Sequence, residues 1–142
     1  PAEGFAAGLL NGLGFALFES MLVSASSEEW LSTVLLRAPT AGLHGFTTAL
    51  VGYGLASAVT QRRYLRLAGC FGAAVLLHGV WNGLTLISAG YSIQSVMSTN
   101  VIAIPGFVQI IPLILVFLAG TTFLGIILIN RRLKQAAATP DL

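Results

Sequence analysis

The 142-residue chain is 56% hydrophobic and only 8% charged, with a formal net charge of +2 at pH 7. This composition lies outside the usual range of soluble globular proteins, so it excludes a soluble enzyme or binding domain. It predicts an all-α protein, a polytopic membrane helix bundle whose surroundings are the lipid bilayer. We expect no nucleic-acid partner.

Four apolar stretches are each about as long as the roughly 20 residues that a bilayer-spanning helix needs. They cover residues 4–23, 39–60, 67–89 and 107–130 and leave no room for a separate soluble domain. We therefore predict a single transmembrane domain over residues 1–142 with about four transmembrane helices. Pro39 suits the first turn of the second span, whereas Pro105 and Pro112 predict an irregular or kinked start of the fourth.

Glycine recurs at helical spacing in the first span, at Gly4, Gly8 and Gly12. Small residues let helix backbones approach closely in lipid, where van der Waals packing replaces the hydrophobic drive. We interpret these glycines as helix-packing positions.

The basic residues indicate which ends of the spans are cytoplasmic. They form two clusters, one between the second and third spans and one after the fourth: Arg62, Arg63 and Arg66, and Arg131, Arg132 and Lys134. Short basic loops stay in the cytoplasm. We therefore predict a cytoplasmic C-terminal tail over residues 131–142, an external segment over 90–106, and an interfacial stretch over 24–37. The expected location is a bacterial or archaeal plasma membrane.

Four polar side chains lie inside stretches that otherwise have the composition of a membrane-spanning helix: Glu19, His44, His78 and Asn82. Such groups cost several kcal/mol in hydrocarbon, about 2.5 to 3.5 by insertion scales, so they usually mark function. In the predicted topology all four fall within the outer half of the bilayer. His78 and Asn82 also share a helix face because they are four residues apart. Three helices can thus present polar groups to one interior cavity.

Three chemical interpretations of these residues stay open at this point. Two histidines and a carboxylate form the ligand set of many catalytic zinc sites. Alternatively, a glutamate activates water while histidines and an asparagine stabilise the developing oxyanion without metal. The third interpretation is structural, since membrane histidines also hydrogen-bond neighbouring helices.

Two other charged positions deserve separate interpretations. Glu28 and Glu29 follow a serine-rich loop, and we predict a solvated surface pair. Arg37 precedes His44 by seven residues. It either anchors the interface by snorkelling or pairs with a site carboxylate.

The same residues resemble the PrsW family of intramembrane proteases, relatives of the CAAX prenyl protease and Abi group. Three segments over residues 3–83 carry the resemblance: Gly14-Phe15-Ala16 followed by Glu19 (GFALFE), Arg37 through His44-Gly45 (RAPTAGLHG), and His78 through Asn82 (HGVWN). The resemblance implies a multi-pass peptidase that hydrolyses a peptide bond of a membrane protein. It also implies catalytic or metal-ligating positions at Glu19, His44 and His78, with Zn²⁺ as the expected metal, and supporting positions at Asn82 and Arg37.

The family's leading motif, of the form EExxK, has no counterpart before Gly4, and the chain opens at Pro1 without a basic n-region. We expect this motif to lie upstream of Pro1 or to be lost, so that the chain is a fragment or a degenerate member. Two alternative functions also remain. One is a noncatalytic membrane scaffold or binding protein that uses the glycine-rich faces, and the other is a small proton-coupled carrier that uses the Glu and His residues as a relay. A carrier often shows an internal repeat, and this sequence has none.

Overall fold

A computed structural model of the chain describes residues 1–24, 28, 30–97 and 105–138. Within these ranges every regular element is an α-helix: α1 (Ala2–Ser24), α2 (Trp30–Leu36), α3 (Ala38–Gln61), α4 (Tyr64–Met97) and α5 (Gly106–Ala138). The predicted class, an all-α membrane helix bundle, is confirmed.

Three of the helices are long and apolar enough to cross a membrane, over Ala2–Val23, Tyr64–Met97 and Gly106–Ala136. They correspond to the first, third and fourth predicted spans. The second predicted span is α3, which is long enough but less hydropathic than the other three. Its sequence is rich in glycine, alanine, serine and threonine, which suit a helix surrounded by protein rather than by lipid. A count of four membrane crossings therefore stays a prediction.

The α3 helix is the centre of the bundle and packs against α1, α4 and α5. Nine of its residues are buried: Gly42, Leu43, His44, Gly45, Thr47, Ala49, Gly54, Ser57 and Ala58. On one side Leu43 joins Trp81 of α4 and Ala119 of α5 in a small apolar core. The other helices leave large apolar side chains exposed, as expected where lipid is the solvent.

The α1–α3 contact depends on glycine. A Cβ added at Gly8 would lie 2.9 Å from the Cα of Ala49, and one added at Gly12 would lie 2.8 Å from the Cα of Gly45. Both distances are shorter than real Cβ contacts allow. The glycine spacing of the first span is therefore a packing feature, as the sequence predicts, and it brings α1 into backbone contact with α3.

The start and end of α3 set the positions of two arginines. Arg37 occupies the N-cap position, and Pro39 lies in the first turn, where a missing backbone donor is tolerated. At the other end Arg62 adopts a left-handed conformation, with φ 56° and ψ 28°. The backbone N–H of the next residue, Arg63, donates to the carbonyl oxygen of Ser57 at 3.2 Å and closes the cap. This tight turn leads into α4 two residues later and makes α3 and α4 antiparallel neighbours.

Two helices, α4 and α5, extend well beyond the predicted spans, whereas α1 and α3 match theirs to within two residues at each end. The α4 helix continues to Met97, so much of the predicted external segment 90–106 is helical. Serine hydroxyls along this part, such as those of Ser92 and Ser95, donate to the helix's own carbonyl oxygens, which lets polar residues continue the helix. The α5 helix begins directly after Pro105 and runs through Pro112.

Candidate active site

The site forms where α1, the start of α3 and the middle of α4 meet. Arg37 donates a hydrogen bond from Nη2 to Oε2 of Glu19 at 2.6 Å. The Nε2 atom of His44 lies 3.3 Å from the same carboxylate oxygen. One oxygen of Glu19 is therefore approached by both an arginine and a histidine of α3.

The helix packing explains why these three residues meet. Gly12 of α1 lies against the backbone of His44. A Cβ at this position would clash with the carbonyl oxygen of His44. From that contact Glu19 lies seven residues further along α1, and Arg37 lies seven residues back along α3. Seven residues are about two helical turns and about 10 Å. In an antiparallel pair, both side chains therefore reach the same level on facing helix sides.

His44 is the buried centre of the cluster. Its side chain is 10% exposed, compared with 37% for Glu19 and 25% for Arg37. The His44 ring makes edge-to-face contacts with His78 of α4, at 4.8 Å between centroids, and with Phe15 of α1, at 5.2 Å. Such contacts fix the plane of the imidazole without consuming its nitrogens. The cluster is thus covered at His44 and open at Glu19.

Four of the five site residues predicted from the sequence lie together in the structure. They are Glu19, Arg37, His44 and His78. Asn82 lies one turn beyond His78 on α4, but its side chain is exposed and makes no hydrogen bond with any residue that the structure describes. For Arg37, the contact with Glu19 favours pairing with a site carboxylate over the interfacial-anchor interpretation.

Ser20 is a site residue that sequence reasoning missed. Its side chain donates to the carbonyl oxygen of Ala16 at 2.7 Å and accepts a hydrogen bond from Nε of Arg37 at 3.2 Å. The residue is only 5% exposed. Serine commonly bonds the carbonyl four residues earlier in membrane helices, so the sequence offers no signal that its oxygen also accepts from an arginine.

Of the two loop glutamates, Glu28 is exposed, in agreement with the predicted solvated position, whereas Glu29 lies outside the described residues. Trp30 opens α2 and is 56% exposed, so it has the free indole surface that an interfacial residue needs.

The side chains of the cluster are of types that bind metal ions, but only two of them are positioned to do so. The 3.3 Å between Nε2 of His44 and Oε2 of Glu19 is close to the separation of about 3.3 Å that two tetrahedral zinc ligands adopt. However, Arg37 already donates a hydrogen bond to the same oxygen. Across residues 1–24, 28, 30–97 and 105–138, no three His, Cys, Asp or Glu side chains are arranged to hold a metal ion. Two donors therefore fit, and a third is not in position.

An all-α membrane protein in which three helices bring together a carboxylate and two histidines has a candidate functional site inside its helix bundle. Comparison with family models gives a match over residues 1–119 to the family described as PrsW family intramembrane metalloprotease. The chain belongs to this family, which confirms the resemblance drawn from its motifs. Searches of curated proteins and of solved structures found no match.

Three statements follow directly from family membership. The chain is an integral membrane protein of an intramembrane protease family. The substrates of such a family are membrane proteins in a bilayer. Its description as a metalloprotease family implies a metal. The scaffold and carrier alternatives receive no support from the comparisons.

Proposed function

We propose that this protein is an intramembrane peptidase that hydrolyses a peptide bond of a membrane-protein substrate at Glu19, His44 and His78. The observation that carries the proposal is the convergence of Arg37 and His44 on one oxygen of Glu19, with His78 in ring contact with His44. Ionisable groups gathered from three apolar helices are costly in a membrane and are seldom retained without a function.

Glu19 is the proposed general base. Its carboxylate takes a proton from water while the water oxygen attacks the carbonyl carbon of the scissile bond. The imidazole N–H groups of His44 and His78 stabilise the oxyanion that develops. The C–N bond then breaks, and the leaving nitrogen receives the proton from Glu19. Asn82 would extend the set of donors toward the substrate from its position one turn beyond His78.

Arg37 is a positioning residue in this scheme. Its guanidinium bonds Glu19 through Nη2 and Ser20 through Nε, so it ties the start of α3 to the site end of α1. These two bonds restrict the carboxylate to one side, which leaves its remaining lone pairs for water. The carboxylate of Glu19 is the accessible part of the cluster, with a side chain that is 37% exposed compared with 10% for His44, and the mechanism requires water to reach it there.

A zinc-dependent mechanism is the alternative chemistry: the implied metal would be Zn²⁺, and Glu19, His44 and His78 would hold it as ligands instead of acting as general base and oxyanion donors. Bound zinc would lower the pKa of a water molecule and polarise the scissile carbonyl. His44 and Glu19 already have a suitable separation, and His78 supplies a second imidazole beside them. We further infer that both basic clusters and the C-terminal tail face the cytoplasm of a bacterial or archaeal cell.

Cleavage assays with site variants test the proposal. The full gene product is purified and incubated with a panel of single-span membrane reporter proteins. We expect Glu19→Gln, His44→Ala and His78→Ala each to reduce cleavage by about 100-fold or more, the usual effect of losing a general acid, base or oxyanion donor. Glu3→Gln is the matched control because Glu3 is an exposed carboxylate on the same helix as Glu19.

The outcomes are separable. Wild-type rates in all three site variants would contradict the assignment of the site, and a wild-type protein that cleaves no reporter would contradict the peptidase function. Elemental analysis of the same preparations tests the metal. The zinc-dependent alternative predicts about one zinc ion per wild-type chain and a loss of zinc in the two histidine variants. Active wild-type protein without metal would support the glutamate-only chemistry.

A further inference from the structure

An open groove of about 470 Å³ runs between α3 and α4 and ends at the candidate site. Thr47, Thr48 and Val51 form its α3 wall, and residues of α4 from Phe71 to Gly79 form the other. His78 belongs both to this groove and to the ring contact with His44. The groove is thus continuous with the cluster that we propose to be catalytic.

The walls of the groove suit apolar side chains. Apart from His78 and the two threonines, every lining residue is apolar or glycine. The Thr47 hydroxyl donates to the carbonyl oxygens of Leu43 and His44 within α3, so its hydrogen is not free for a ligand. The volume lies within the range of about 300–1,000 Å³ that is typical of ligand pockets.

The length of the groove also fits a short stretch of substrate. From Phe71 to Gly79 the α4 helix rises about 12 Å, at about 1.5 Å per residue. An extended peptide covers that distance with about three to four residues, at about 3.3 Å per residue. The scissile segment has to be extended because the carbonyl groups of an intact membrane helix are engaged in its own hydrogen bonds.

We propose that the α3–α4 groove is the subsite that binds the apolar side chains of the substrate next to the scissile bond. It takes the three to four residues on the side of that bond nearer to the turn at residues 62–63, because the groove leads from His78 toward the start of α4. The inference rests on the proposed peptidase function and adds the determinant of its substrate preference. The occupant is an apolar, locally extended segment of a membrane-protein substrate.

Gly79 offers a clean test. It lines the groove, and a Cβ added there would meet nothing within 4 Å, so the backbone at this position accepts a side chain. We expect the leucine side chain of Gly79→Leu to occupy part of the groove. Gly83 lies one turn further along the same helix, is equally open, and does not line the groove. Gly83→Leu is therefore the matched control for helix propensity, added bulk and lipid contact.

The reporter substrates carry Ala, Leu or Phe at each of the four positions beside the cleavage site, which is located by mass spectrometry. We expect Gly79→Leu to lower kcat/KM by about tenfold or more for the Leu and Phe reporters, since pockets discriminate by about 10–200-fold per small group. Cleavage of the Ala reporters and all rates of Gly83→Leu should stay within about twofold of wild type, the scatter expected where no pocket contact is altered. Phe71→Ala, which widens the groove, should shift the preference toward Phe.

An unchanged substrate profile in both Gly79→Leu and Phe71→Ala would overturn the subsite while leaving the peptidase function intact. An equal loss on every reporter, Ala included, would also overturn it, because it would indicate a general effect on the neighbouring His78. A wild-type protein that cleaves no reporter would overturn the function on which the subsite rests. Gel filtration of each variant in detergent checks that the fold is preserved.

Discussion

At the scale of single residues, the site depends on one arginine that serves two acceptors on the same helix. The guanidinium of Arg37 reaches Glu19 through Nη2 and Ser20 through Nε. Bonds of this kind to a charged acceptor are about twice as strong as neutral ones, and the rigid planar fork fixes their direction. Arg37 therefore holds the carboxylate of Glu19 in place.

Arg37→Lys tests this positioning role. Lysine retains the charge but presents a single ammonium group, so it cannot reproduce two bonds of fixed geometry to Glu19 and Ser20. We expect kcat to fall by about tenfold, equivalent to about 1.4 kcal/mol, with KM nearly unchanged. Arg63→Lys is the control because Arg63 is exposed and far along the chain from the cluster. A change in KM alone would contradict a role in positioning the carboxylate.

The sequence predicted part of the site at this scale. The sequence showed that Glu19, His44 and His78 lie in apolar stretches, where their burial is costly. Their depth and helical face could be estimated from their positions along each predicted span. The partner of Arg37 could not be predicted, because an arginine that snorkels to the interface and one that pairs with a carboxylate lie at the same depth. Ser20 was not predicted as a site residue, since a serine that bonds its own helix looks the same whether or not an arginine lies beside it.

At the scale of helices, the contact between α1 and α3 sets the geometry of the site. Gly12 lies against the backbone of His44, and two turns from that contact Glu19 meets Arg37. Any group that pushes the helices apart at Gly12 therefore also displaces the histidine of the site. The small-residue spacing in the sequence predicted a packed face, but it did not say which helix would occupy it.

Gly12→Ala should separate the two helices and weaken the site. The new methyl group would lie against Gly45 and the His44 carbonyl oxygen, and overpacking of this kind costs about 1–3 kcal/mol. We expect a lower midpoint of thermal unfolding in detergent and a loss of peptidase activity. Gly14→Ala is the control, because a Cβ at Gly14 meets nothing within 4 Å and alanine favours the helix by up to about 1 kcal/mol. Equal destabilisation by the two substitutions would contradict the close α1–α3 contact.

At the scale of the whole molecule, the bundle places its least apolar long helix at the centre. The α3 helix is covered by α1, α4 and α5, so it carries the histidine of the site without exposing much polar surface to lipid. The α4 helix has 34 residues, which span about 50 Å, and this exceeds the roughly 30 Å of a hydrocarbon core. Part of α4 therefore extends beyond the hydrocarbon core.

Accessibility to a membrane-impermeant maleimide tests the orientation of the bundle. In a Cys70→Ala background, single cysteines are introduced by Gln61→Cys at the end of α3, Ser95→Cys near the end of α4, and Ala136→Cys near the end of α5. Because the basic clusters should stay in the cytoplasm, we expect labelling of intact cells only at position 95. Positions 61 and 136 should react after permeabilisation. Reaction of positions 61 and 95 from the same side would contradict α4 as a membrane span.

The sequence by itself determined that this is a helical membrane protein of the PrsW family and which polar residues need an explanation. These conclusions follow from composition, from span length and from motifs, which are all local properties of the chain. Only the tertiary structure decided that Arg37 pairs with Glu19, that Ser20 joins them, and that a groove between α3 and α4 leads to His78. Those features depend on which helix faces lie against each other, and apolar periodicity specifies this weakly in a membrane, because lipid and a neighbouring helix are almost equally good partners for an apolar side chain.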